Sequence, residues 1–182
     1  MKTKGRIESY YHYAFPFPAI LVTCQDQQNE PNIITLAWHT PISKKPPLYG
    51  ISIAPSRHSH KIIKKSKEFI VNFMPFSYGK DIHFCGTHSG RSLNKIEHID
   101  LQFEPSETLR TQKIKEAYAH LECRLHSDYS IGDHTMFIGE ILRITAESSL
   151  FEDSILDNTV MKPAYYLGNN VYTSINETQQ QF

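Results

Sequence analysis

Ala119-His120-Leu121-Glu122-Cys123-Arg124-Leu125-His126 alternates apolar with polar residues at every step. A period of two places Ala119, Leu121, Cys123 and Leu125 on one side of a chain and the polar set on the other, which predicts a half-buried β-strand. Ser127 to Asp133 reads as the turn that follows, and Thr135 to Ala146 as a long strand running back beside the first. Gly139 falls inside that second strand, where glycine marks a bulge or a close backbone approach.

Four more strands are expected outward from this hairpin: Ile20 to Cys24, Asn32 to Trp38, Leu48 to Ile53 and Phe69 to Phe73. The polar run Gln25 to Pro31 joins the first two as a hairpin, and Ser43-Lys44-Lys45-Pro46-Pro47 reads as a turn. Short helices are expected over Lys61 to Lys67, with Ser56 as N-cap and Ile62 and Ile63 buried, and around Tyr78 to Phe84. Tyr10 to Pro18, rich in aromatics and proline, reads as an extended arm lying on the body or on a neighbour. The fold class is mainly β with short helices. Antiparallel pairing of many strands leaves a barrel or a sandwich open.

Composition narrows the function classes. The 182 residues are 40% hydrophobic and carry 19 basic against 19 acidic side chains. That describes one folded domain with no global field for nucleic acid or an anionic membrane. Cys24, Cys85 and Cys123 are odd in number and far apart, a pattern of a reducing compartment. Met1 to Lys4 is basic, but no apolar segment of signal-peptide type follows, and Ala19 to Cys24 is too short to span a bilayer. The expectation is a cytoplasmic protein.

Positive charge is concentrated where a helix should begin. Ser56-Arg57-His58-Ser59-His60 adds a guanidinium and two imidazoles to a helix N-terminus that is already partially positive. The arrangement makes sense if an anion sits among them, and its bland alternative is a capped helix with solvated charges. A second donor-rich loop, Cys85-Gly86-Thr87-His88-Ser89-Gly90-Arg91 followed by Lys95, allows close backbone approach at two glycines. His83, Cys85 and His88 have metal-ligand spacing but lack a second knuckle, so no metal is expected. A Cys85 nucleophile has no ordered partner and ranks lower still. Gly132-Asp133-His134 is either a tight turn or an imidazole beside a pocket.

These pieces, in this order, resemble the flavin reductase-like family, the FMN-binding split barrels that include flavoredoxin-type proteins. Pro18 to Thr23 is similar to the family's opening strand, and Asn32-Ile33-Ile34-Thr35-Leu36-Ala37-Trp38 to the segment lining the isoalloxazine ring. Ile51-Ser52-Ile53, then Arg57 with Ser59 and His60, resembles the strand and helix start that take the flavin phosphate. Ser89-Gly90-Arg91 with Lys95 resembles the second ribityl-phosphate loop. Glu122-Cys123 and Gly132 to Glu140 match the closing hairpin, and Tyr165-Tyr166-Leu167-Gly168 the terminal tyrosine segment.

The resemblance covers residues 16–172 of one domain, 1–182, and implies a six-stranded antiparallel Greek-key split barrel. It further implies a homodimer with FMN held near its interface. The cofactor-binding residues it implies are Asn32, Thr35, Leu36, Ala37, Trp38, Ser52, Arg57, Ser59, His60, Ser89, Gly90, Arg91 and Lys95. His134 is the implied nicotinamide contact. The Ala37-Trp38 pair resembles the flavoredoxin branch and implies tightly held FMN. The implied activity is oxidoreduction, with hydride from NAD(P)H passing to the flavin and electrons to a small-molecule or protein acceptor. A non-enzymatic FMN electron carrier shares every one of these residues, and a metal-binding β-domain is the third reading.

Overall fold

The computed structural model describes residues 4–180, so the ends of the predicted domain, 1–3 and 181–182, lie outside the described residues. Seven strands form the main sheet: β1 (Ile20–Gln25), β2 (Pro31–Leu36), β3 (His39–Lys44), β4 (Pro47–Ile53), β5 (Glu68–Phe73), β6 (Ala119–Ile131) and β7 (His134–Ala146). Their order is β2-β1-β5-β6-β7-β4-β3, and every pairing is antiparallel. The two edge strands, β2 and β3, are consecutive in the chain and separated only by Ala37 and Trp38. One ribbon therefore supplies both edges and the sheet closes on itself, and the Ser52 N–H donates to the Trp38 carbonyl at 2.9 Å, which carries the β3–β4 ladder up to the break. Counted as one interrupted strand, the ribbon gives the expected six.

Alternation along β1 divides the apolar residues between two cores. Ile20, Val22 and Cys24 point into the barrel with Ile34, Ile51, Phe69, Leu121, Cys123 and Phe137. Helix α1 (His58–Ser66) closes one end of the barrel with Ile62 and Ile63. Ala19, Leu21 and Ile33 point outward and are covered by Ile82 and Cys85 of helix α2 (Gly79–Thr87) and by Leu101 and Ile114.

Several local expectations are corrected. Strand β6 does not turn at Ser127. It pairs with β7 through Ile131, and Gly132 (φ 61°) with Asp133 makes the whole turn, because β-formers such as Tyr129 and Ile131 keep the ladder going. The polar side of β6 is solvated only in part: Arg124 and His126 are exposed, whereas His120 and Glu122 are buried beneath the segment 105–114. Strand β3, with Pro41 and mostly exposed side chains, takes in Ser43 and Lys44 of the expected turn and the unassigned residues before it, so the turn shrinks to Lys45 and Pro46. Arg57, not Ser56, is the N-cap of α1, with no side-chain capping bond. Ile7–Ala14 winds as a 3₁₀ segment where an extended arm was expected. It does lie on the body, with Phe17–Pro18 pairing to Tyr165–Tyr166.

Gly139 sits at a shift in the β6–β7 register, as a bulge requires. A Cβ there would stand 2.6 Å from Phe69 Cζ and 2.7 Å from Cys123 Cβ, both in the packed interior. Gly139→Ala is expected to cost about 2 kcal/mol through overpacking. For a chain of this size that is a fall of roughly 4–8 °C in Tm. An unchanged thermal transition would contradict the close approach.

Candidate functional site

The break between β2 and β3 creates the site. Where the ribbon leaves the sheet, the backbone of Ile34 to Trp38 faces Ser52, Ala54, Arg57, Gly86 and His134 around a hollow of about 190 Å³. Gly86 lies against Thr35, whose Cβ would be 3.2 Å from any Cβ added there, so α2 approaches β2 as closely as a glycine allows. At the open side the Trp38 and His134 rings lie 4.9 Å apart, tilted by 39°. Tyr11 packs edge-on against the same indole at 5.6 Å. The Asp133 carboxylate accepts from His134 Nδ1 at 2.7 Å, which leaves Nε2 as the free imidazole nitrogen. That hydrogen bond holds the exposed Asp133 carboxyl below its ordinary range.

A second hollow, about 350 Å³, has its own set of lining residues. Consecutive residues line the two in turn, Ile34 then Ile33 on β2 and Arg57 then His58 at the start of α1. Its far side is the loop Gly90 to Ile96. Gly90 is required here, since a Cβ would overlap Asn32 Oδ1 and crowd the His58 ring. Lys95 is 5% exposed, and its ammonium donates to the Cys85 carbonyl at 2.8 Å. Among the described residues no carboxylate pairs with Lys95, Arg57 or Arg91. Burial pushes the Lys95 pKa down, as it must for a desolvated cation. Burial, and then the charges of Arg91 and Lys95, likewise lower His58. A buried ammonium beside two free guanidinium groups is a site built to receive an anion.

The predicted residues divide into two groups. Thr35, Leu36, Ala37, Trp38, Ser52, Arg57 and His134 line the first hollow; Asn32, Gly90, Arg91 and Lys95 line the second. Ser89 sits at the neck of that loop, its carbonyl accepting from Ser92 and Leu93 N–H. Ser59 and His60 are placed elsewhere. The buried Ser59 hydroxyl accepts from Asn32 Nδ2 at 2.7 Å, and His60 Nε2 pairs with Thr135 Oγ1 at 2.9 Å, so both pin the helix start to the barrel. His58 takes the place at the hollow that His60 was expected to fill. In a helix, positions two apart point to opposite sides, which is the signal that separates the two imidazoles. Gly86 and Ala54 are further lining residues that the motif reading passed over.

The cysteine alternatives have a physical answer. Cys85 points into the outer core, and burial pushes its thiol up to about 12, away from the thiolate a nucleophile or metal ligand needs. His88, the C-cap of the same helix, lies outside, stacked on Phe84 at 4.0 Å.

Comparison with known proteins agrees with this geometry. The chain is 35% identical over 142 residues to an uncharacterized protein of Archaeoglobus fulgidus, covering 78% of this chain and 79% of that one. It superposes on an FMN-binding protein from Thermus thermophilus, solved with bound 1-cyclohex-2-enone, with a TM-score of 0.86 and 26% identity. That match covers 100% of this chain and 98% of the other. Flavoredoxin from Methanosarcina acetivorans shares the fold at a TM-score of 0.86 and 23% identity, over 100% and 95% of the two chains. The family model for the flavin reductase like domain matches residues 12–174, the span that holds both hollows and the split between β2 and β3. The chain accordingly belongs to the flavin reductase-like family of split barrels.

Proposed function

We propose that the protein holds FMN tightly along β2 and uses it as an NAD(P)H-dependent oxidoreductase, delivering electrons to a small-molecule or protein acceptor. The observation that carries this reading is Lys95, a buried ammonium that pairs with no carboxylate among the described residues and lines the second hollow. The site fits the cofactor on its own terms. Gly86 and Gly90 give the close backbone approach that a planar ring and its phosphate tail need, and Arg57 and Arg91, without an ion pair among the described residues, are forks for phosphate.

Bound there, FMN supplies two-electron hydride chemistry, and the protein supplies position and electrostatics. The backbone from Ile34 to Trp38 orients the ring edge. Arg57, Arg91 and Lys95 neutralise the phosphate. Trp38, braced by Tyr11, and His134, oriented by Asp133, wall the side open to a nicotinamide. The FMN-binding protein from Thermus thermophilus, at 26% identity, supports the cofactor assignment.

The visible spectrum of the purified protein, before and after NAD(P)H, tests the reading. Flavin bands that bleach with the nucleotide are expected, with turnover above the free-flavin background. A colourless protein that takes up no added FMN would overturn it, and a flavoprotein without turnover would be a carrier. We further propose a cytoplasmic homodimer. No helix among the described residues is long and apolar enough to cross a membrane. The exposed Tyr129 and Ile131 of the β6–β7 hairpin offer an apolar surface to a second copy, and light scattering on the eluted protein reads the mass directly.

Lys95 also makes a prediction with opposite signs. Lys95→Met removes a buried, unpaired cation, so the flavin-free protein should gain about 1 kcal/mol of stability. FMN affinity should fall by about tenfold, the worth of one charge-assisted bond. Loss of stability in the flavin-free variant would mean that the ammonium serves the fold and not the anion.

A further inference from the structure

A third hollow, about 840 Å³, shares no lining residue with the two described above. Its volume suits a small organic molecule. Phe73, Tyr118 and Tyr165 supply aromatic walls, and Pro18, Pro163 and Leu156 aliphatic ones. Among the described residues no charged side chain lines it. The walls are held from behind: the Tyr118 N–H donates to the Phe73 carbonyl at 3.0 Å, and the Ser174 hydroxyl to the Pro163 carbonyl at 2.7 Å. Asn158, 5% exposed, has its amide committed to the Asn176 carbonyl at 2.6 Å and to Gln179.

Two phenols are left over. The Tyr49 hydroxyl bonds His39 and that of Tyr166 accepts the Asn170 N–H, whereas those of Tyr118 and Tyr165 have no partner among the described residues. Burial, and then the neighbouring Tyr165 phenol, push Tyr118 up to about 12, so it presents a neutral ring and a free oxygen.

The sign of the ligand is set next door. Ile155, Leu156 and Gln179 also line a hollow of about 570 Å³, so the two are contiguous. That neighbour adds Glu152, Asp153, Asp157 and Glu177 and no basic side chain. Glu177 pairs with Lys162 at 3.2 Å, and the other three have no ion pair among the described residues. Asp157 is fixed beside Leu156, because its Oδ1 accepts the Thr159 N–H and hydroxyl at 2.9 and 2.6 Å. Carboxylates repel an anion. An ammonium on an apolar body satisfies both hollows: the body displaces water from the aromatic walls, and the charge meets a carboxylate and the faces of electron-rich rings.

We infer that these joined hollows bind a small organic amine, its apolar body against Phe73, Tyr118 and Tyr165 and its ammonium at Asp157. The site is separate from the flavin site proposed above and is occupied with or without it.

Equilibrium dialysis of the purified protein against naphthylethylamine, the alcohol of the same shape and naphthylacetate tests this. The amine is expected to bind at least about tenfold more tightly than the alcohol, and the acetate more weakly than either. Asp157→Asn keeps an acceptor for Thr159, and should bring the amine and the alcohol within about twofold of one another. Tyr118→Ala should weaken both by about tenfold. Melting temperatures of the unliganded variants report folding. Equal binding of amine and alcohol to the wild type overturns the inference, as does an amine preference that survives Asp157→Asn, or no binding at all. So does a Leu156→Lys protein whose mass by light scattering falls by half, since a second copy would then cover the hollow.

Discussion

Arg57→Ala is expected to weaken FMN binding by about a hundredfold, roughly 2.7 kcal/mol, without lowering the melting temperature of the flavin-free protein. Arg57 is the N-cap of α1, but its side chain makes no capping bond and, among the described residues, no ion pair. It is exposed and lines the ring-side hollow, so the fold loses nothing when it goes. The ligand loses a guanidinium that can offer two parallel N–H donors to one phosphate, at a helix end where the dipole adds to the attraction. Arg57→Lys should recover only part of the loss, since an ammonium is a point charge without the fork. Isothermal titration of both variants, beside Lys95→Met, reads the ranking. An Arg57→Ala protein that binds FMN within about threefold of wild type, under 0.7 kcal/mol, would move the phosphate away from this helix.

The β6–β7 hairpin was legible because period-two alternation is a local signal that survives tertiary context. Residues 119–125 and 135–146 keep their strand assignment in the structure. The closure of the barrel was not legible. It depends on two residues, Ala37 and Trp38, interrupting a strand so that one ribbon serves both edges, and nothing in their propensities announces a break. β3 was hidden for a related reason: an edge strand with exposed residues and Pro41 has the composition of a turn.

At the site, residue types were legible and directions were not. Arg57 lines the first hollow and Arg91 and Lys95 the second, and only the structure shows that Lys95 is buried. Ser59 and His60 have the chemistry of phosphate donors, but the helical turn aims them at Asn32 and Thr135, and His58 faces the hollow instead. Long-range packing decides such matters, and it is invisible in a five-residue motif.

The same blindness hid Glu122, whose loss is expected to cost the fold more than any other polar substitution in β6. Alternation assigned it to a solvated face, whereas it is 0% exposed. Its carboxylate accepts the Glu107 N–H at 3.1 Å, and the Thr108 N–H and hydroxyl at 2.8 and 2.5 Å, so it anchors the segment that covers β6. Glu122→Ala leaves those donors without a partner and opens a cavity, a penalty of about 3–5 kcal/mol. At this chain length that lowers Tm by roughly 10 °C. Burial alone would raise the Glu122 pKa. The Thr108 and Glu107 hydrogen bonds, with Lys113, overturn that and hold it below the ordinary 4.5. A carboxyl depressed in the folded state contributes stability above its unfolded pKa and loses it as pH falls through the folded one. Wild type should therefore lose stability progressively below about pH 4.5, and Glu122→Gln should flatten that decline while starting from a lower plateau. Urea titrations between pH 3 and 7 measure both curves, and parallel acid slopes for the two proteins would show that other carboxyls govern the acid limb.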